Sequence, residues 1–121
     1  MVELYSNRLR LACYYRTSLR LGLHTSIAKS LENAAITAGE LGANTFQIFS
    51  ASPRMWPHVG ARIPEIEAAE FRAKRAELGL GPLVIHANYL INLASSDPVL
   101  RVRSIQAYHN ITDILPKLRC P

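Results

Sequence analysis

Two cysteines in 121 residues are too few for a disulfide framework, and Cys13 and Cys120 stand near opposite ends with no ligand spacing around them. Free thiols, and with them a cytoplasmic setting, are the expectation. No apolar run approaches the roughly 20 residues that cross a bilayer. The apolar stretches near the N-terminus are broken by Asn7, Arg8, Arg10 and Arg16, so neither a membrane anchor nor a signal peptide is read there. Charged residues make up 19% of the chain against 49% hydrophobic, a globular balance under which disorder is not the default. No internal repeat and no low-complexity segment interrupt it. Acidic residues are also scarce, 9 against 14 basic, and the net charge of +5 suits a polyanionic partner. Arg8, Arg10, Arg16 and Arg20 face only Glu3 in the first 20 residues, so the global charge says little about the remainder.

What the chain does have is a series of strand and helix signals. Leu19-Arg20-Leu21-Gly22-Leu23-His24 alternates strictly, which predicts a strand with its leucines packed outward under helices and Gly22 and His24 facing inward. Ser30 caps a helix with the apolar stripe Leu31, Ala34, Ala35, Ala38 and Leu41, and Gly42 ends it. Thr45–Phe49 is rich in β-formers. A strand, a helix and a strand in this short span make a βαβ unit and a parallel sheet. Pro64 opens a second helix to Leu78, with Glu65 and Glu67 early, Lys74 and Arg75 late, and Glu70 paired with Lys74 on a solvated face. Gly81-Pro82 precedes the short buried strand Leu83-Val84-Ile85-His86, and Asp97-Pro98 starts a third helix to about Leu115. The organisation read from this is a non-family extension at residues 1–18, poorly ordered, a folded unit at 19–115 and a tail at 116–121.

The chemistry-bearing residues gather after the strands. His86 ends a buried strand, where α/β folds place their sites, and Tyr89-Leu90 follows in a loop that has no packing reason to hold such a pair. Position alone favours a hydrogen-bonded core histidine at His24. The loop from Ser50 to Arg62 carries Arg54, Met55, Trp56 and His58. Arg54 has no nearby acidic partner in sequence and suits phosphate or groove contact. Trp56 reads equally as a lid over the core.

His86-x-x-Tyr89-Leu90-Ile91-Asn92-Leu93-Ala94 resembles the first signature of the endonuclease IV family of apurinic/apyrimidinic (AP) endonucleases. Gly22-Leu23-His24-Thr25-Ser26, Asn33-Ala34-Ala35 and Phe49-Ser50-Ala51-Ser52-Pro53-Arg54-Met55-Trp56 add blocks in the right order. The resemblance runs from about Leu21 to about Tyr108. It implies an α/β fold comprising the first three to four βα units of a (β/α)8 TIM barrel of the xylose-isomerase-like kind, an architecture that takes about 250 residues when closed. It implies hydrolysis of the phosphodiester 5′ to abasic sites in double-stranded DNA at a trinuclear Zn2+ cluster. In those terms His86 is a metal ligand, His24 supports the metal site, and Arg54, Tyr89 and Leu90 contact DNA at the lesion. The family's other ligands have no counterpart in this sequence, so the chain alone is expected to be inactive. Unpaired barrel edges and an uncovered apolar inner face would favour self-association. Two other readings stand beside this one: a sugar or sugar-phosphate isomerase or epimerase of the same barrel superfamily, and a non-catalytic truncated fragment.

Overall fold

The computed structural model describes residues 19–57 and 63–119. The proposed extension at 1–18, His58 and residues 120–121 lie outside the described residues. Three strands, β1 (Gly22–His24), β2 (Thr45–Phe49) and β3 (Leu83–His86), form a parallel sheet in the order β1-β2-β3. The connections carry α1 (Leu31–Glu40) and α2 (Glu65–Glu77), and the chain continues into α3 (Pro98–Thr112) and the single turn α4 (Leu115–Leu118).

The pleat sorts the strands into two faces. The registered rows Leu23–Phe46–Leu83 and Ile48–Ile85 face the helices, and Phe46, Ile48 and Leu83 are at most 2% exposed. They pack against Leu31, Ala34, Ala35 and Ala38 of α1, Ala68 and Phe71 of α2, and Leu118 of α4. The alanine stripe is what lets α1 approach the sheet closely. Its caps are as the sequence predicts: Ser30 Oγ accepts from the Asn33 amide at 3.0 Å, and Gly42 takes a positive φ of 77°. Leu41 falls out of the stripe, 64% exposed, because α1 ends at Glu40 and the chain has already turned.

The opposite face, toward the centre of a barrel, holds Gly22, His24, Thr45, Gln47, Phe49, Val84 and His86. The uncovered face is mixed, with exposed Val84 beside His24, Thr45, Gln47 and His86. Gly22 is required there by close approach, since a Cβ at this position would lie 2.3 Å from the Thr45 carbonyl oxygen.

Four local readings are corrected. The first strand is shorter than Leu19–His24, and Leu19 and Leu21 are exposed rather than packed outward under helices. The Asn44 side chain adds to a backbone bond from its own amide to the Leu21 carbonyl, 3.0 Å, by accepting from the Leu21 amide and donating to the Leu19 carbonyl, each at 2.8 Å. Lys74 pairs with Glu77 at 2.7 Å and lies 3.9 Å from Glu32 of α1, in place of the predicted Glu70 pair. Arg75 is buried instead of solvated. Its guanidinium carbon sits 5.5 Å from the Phe71 ring centroid and an Nη1–H donates to the Leu118 carbonyl at 2.6 Å. Lastly, α3 stops at Thr112, and the chain doubles back so that Leu118 is fully buried. The boundary drawn at 115/116 thus falls inside a packed turn.

Candidate functional site

The C-terminal ends of the three strands bring together residues that are far apart in sequence. His24 leaves β1, Phe49 leaves β2 and His86 leaves β3, all on the uncovered face. The Phe49 ring contacts both imidazoles, 4.5 Å from His24 and 4.7 Å from His86, and the imidazoles themselves are 6.1 Å apart by centroids. Tyr89 caps this cluster edge-on, 5.2 Å from Phe49 and 5.8 Å from His86, while 62% exposed.

The His86 ring is chemically oriented. Its Nδ1 lies 2.6 Å from the Ala87 carbonyl oxygen. A carbonyl can only accept, so in the neutral ring the proton sits on Nδ1 and the Nε2 lone pair is left available. This is the arrangement metal-ligating histidines adopt, with the second nitrogen donating to a carbonyl or carboxylate. His24 is held below its ordinary imidazole value, first by partial desolvation and then by the neighbouring His86. Acid should therefore weaken the fold. A base whose folded value is depressed binds fewer protons folded than unfolded, so its contribution is present above the unfolded imidazole range and declines as pH falls through it. NMR titration should show the His24 midpoint below that of a free imidazole, and His86→Gln should move it part of the way back up. An unchanged midpoint in that variant would remove His86 as a cause.

Two loops flank the cluster. Arg54 is exposed and forms no ion pair among the described residues. Trp56 is half-buried beneath the Arg103 guanidinium of α3, 4.6 Å from the ring centroid, so it anchors its loop to a helix. The loop of Tyr89 and half-buried Leu90 is joined to the Arg54 loop through a backbone bond from the Tyr89 amide to the Pro53 carbonyl, 3.1 Å.

No family model matches the chain. A probable endonuclease 4 from Solibacter usitatus is 58% identical over 91 residues, which is 74% of this chain and 30% of that protein. A probable endonuclease 4 from Persephonella marina is 47% identical over 87 residues, 72% of this chain and 30% of that one. The crystal structure of endonuclease IV from Thermus thermophilus superposes with a TM-score of 0.77 at 36% identity, over 84% of this chain and 38% of the other. The chain belongs to the endonuclease IV family, by its N-terminal part. It spans about a third of the length of the curated relatives it matches. A D-psicose 3-epimerase structure also superposes, with a TM-score of 0.60 over 84% of this chain and 35% of the other, but at 16% identity it shares the fold alone. The architecture is thus a partial endonuclease IV barrel of the xylose-isomerase-like kind, and the sugar-isomerase reading is not favoured.

In this endonuclease IV portion the predicted site residues fall into two groups. His24, His86 and Tyr89 meet in one cluster, and Arg54 and Leu90 lie on the two loops beside it. The donor set for zinc is incomplete. His86 presents one oriented nitrogen with His24 nearby, but among the described residues no three of His, Cys, Asp or Glu come together. A catalytic zinc usually takes three protein ligands, so these residues on their own do not make its site.

Sequence reading passes over Asn88, which lies in the unassigned gap between His86 and Tyr89. Its Oδ1 accepts from the Leu90 amide at 2.7 Å, and its Nδ2 donates to the Ser52 carbonyl at 3.3 Å and to the Met55 carbonyl. An asparagine bonding the amide two residues on is a recognisable turn device. Its second set of partners, more than 30 residues back, has no local signal. Phe49 opens one of the family blocks in sequence, but its contact with both imidazoles has no local signal either.

Proposed function

We propose that this chain is the N-terminal part of a zinc-dependent AP endonuclease that hydrolyses the phosphodiester 5′ to abasic sites in double-stranded DNA during repair. In this reading His86 donates Nε2 to the metal set and His24 supports that position from β1. Arg54 contacts the duplex at the lesion, while Tyr89 and Leu90 enter the gap left by the missing base. The remaining metal ligands would come from the part of the family barrel beyond the length matched here.

The observation that carries the proposal is the joining of the Arg54 loop to the Tyr89-Leu90 loop beside His86. An exposed tyrosine over two strand-end histidines, next to a leucine and an exposed arginine, forms a rim with a cationic arm and an apolar wedge. Wedging side chains into a base stack costs a few kcal/mol per step and least where a base is already absent. Such a rim therefore selects abasic DNA without reading sequence, whereas a small-sugar pocket gives no evident need for it.

Fluorescence anisotropy at one fixed salt concentration tests it. The unmutated chain should prefer an abasic duplex over an intact one, and Tyr89→Ala with Leu90→Ala should lose about tenfold or more of that preference, given stacking contributions of ~1–3 kcal/mol per base. Salt-dependent binding to intact duplex should survive the double substitution, since it rests on phosphate contacts. Equal affinity of the unmutated chain for both duplexes would count against the proposal.

A further inference from the structure

We propose that Asn88 is a positioning residue that locks the Arg54 loop and the Tyr89-Leu90 loop into one rigid unit, and that discrimination of abasic DNA depends on this lock. The inference rests on the functional reading above and adds a residue to it. Asn88 is half-buried, and its amide is used at both ends. Oδ1 holds the Leu90 amide at 2.7 Å, which shapes its own loop. Nδ2 reaches across to the Ser52 carbonyl at 3.3 Å and to the Met55 carbonyl, on either side of Pro53 and Arg54. Among the described residues these are the side-chain hydrogen bonds that tie the loops together, alongside the 3.1 Å backbone bond from Tyr89 to Pro53.

The physical consequence is preorganisation. Ordering a loop residue costs roughly 1–2 kcal/mol of backbone entropy, and a ligand that needs both loops at once must supply that ordering unless the fold already has. An abasic site engages the arginine arm and the apolar wedge together, so it gains from the lock. An intact duplex held by phosphates does not. Only an amide serves both ends: a carboxylate keeps the acceptor for Leu90 but places negative oxygen against two carbonyls, and an alanine keeps neither.

The experiment uses the full chain with Asn88→Asp and Asn88→Ala, and reads amide hydrogen exchange, thermal melting, and anisotropy on abasic and intact duplexes at one salt concentration. In Asn88→Asp the Leu90 amide should stay protected while the Tyr89 amide, bonded to Pro53, exchanges about tenfold faster or more as the loops open locally. The abasic-to-intact affinity ratio should fall about tenfold in both variants, as the wedge loses its preset position. Melting should match the unmutated chain, and Asn88→Ala, which adds no charge, should bind intact duplex as the unmutated chain does. A merely structural asparagine would lower melting and both affinities together, which overturns the proposal. Asn88→Asp with unmutated Tyr89 protection overturns the lock, and fast exchange with an unchanged affinity ratio overturns its role in discrimination. Should the unmutated chain bind both duplexes equally, the functional reading fails and takes the discrimination claim with it, and the exchange data decide the lock by themselves.

Discussion

Supplied with zinc and an abasic duplex, this chain alone should leave the DNA uncut, whereas the same chain joined to the C-terminal remainder of the Thermus thermophilus enzyme should nick it. The reason is a count of donors. His86 offers one oriented nitrogen, and among the described residues the second imidazole of the cluster, on His24, is 6.1 Å away by ring centroids. No third His, Cys, Asp or Glu joins them among the described residues, while a catalytic zinc usually takes three. The joined and isolated forms should differ by about 10³-fold or more in nicking rate, the scale on which metal-assisted phosphodiester hydrolysis depends on its metal. In the joined form His86→Ala should remove most of the activity and lower the zinc retained through dialysis. A gel nicking assay with elemental analysis of the dialysed proteins decides it. EDTA-sensitive nicking by the isolated chain would show that its own residues complete a metal site.

Replacing Phe71 with alanine should remove about 3–5 kcal/mol of stability. Phe71 is fully buried at the meeting of α2 and the sheet, its ring 6.0 Å from Phe46 in an edge-on contact and beneath the Arg75 guanidinium. A buried Phe→Ala change costs about 3–5 kcal/mol through lost transfer energy and the cavity left behind. The cavity here also opens beside a buried cation whose partners include the Leu118 carbonyl. Domains of this size have about 5–15 kcal/mol in total, so the loss is a large share of the margin. Urea unfolding should show the midpoint collapse. Val84→Ala, on the uncovered face and 48% exposed, should stay within about 0.5 kcal/mol of the parent, as surface changes do. A Phe71 variant whose stability stays within about 1 kcal/mol of the parent would mean that the helical layer does not bear on the sheet as described.

Much of the local structure was legible from the residues alone. Thr45–Phe49 and Leu83–His86 have the bounds their composition suggests, α1 begins at the Ser30 cap, and α3 begins at Asp97, whose carboxylate accepts from the Val99 and Leu100 amides. The family was legible too, because a signature such as His86 to Ala94 is contiguous in sequence. These features depend on neighbours a few residues away, through side-chain period, capping and turn chemistry. What only the tertiary structure decided involves partners distant along the chain. The Asn44 side chain holds Leu19 and Leu21, Arg75 is buried because the chain doubles back beneath it to bury Leu118, and Asn88 reaches from one loop to another. His24, Phe49 and His86 form one cluster solely because parallel pairing sets their strand ends side by side. Local pattern tells which face of each element is apolar and where it stops. Which polar side chain completes another segment's hydrogen bonds depends on chain packing, and that is settled only when the sheet and helices come together.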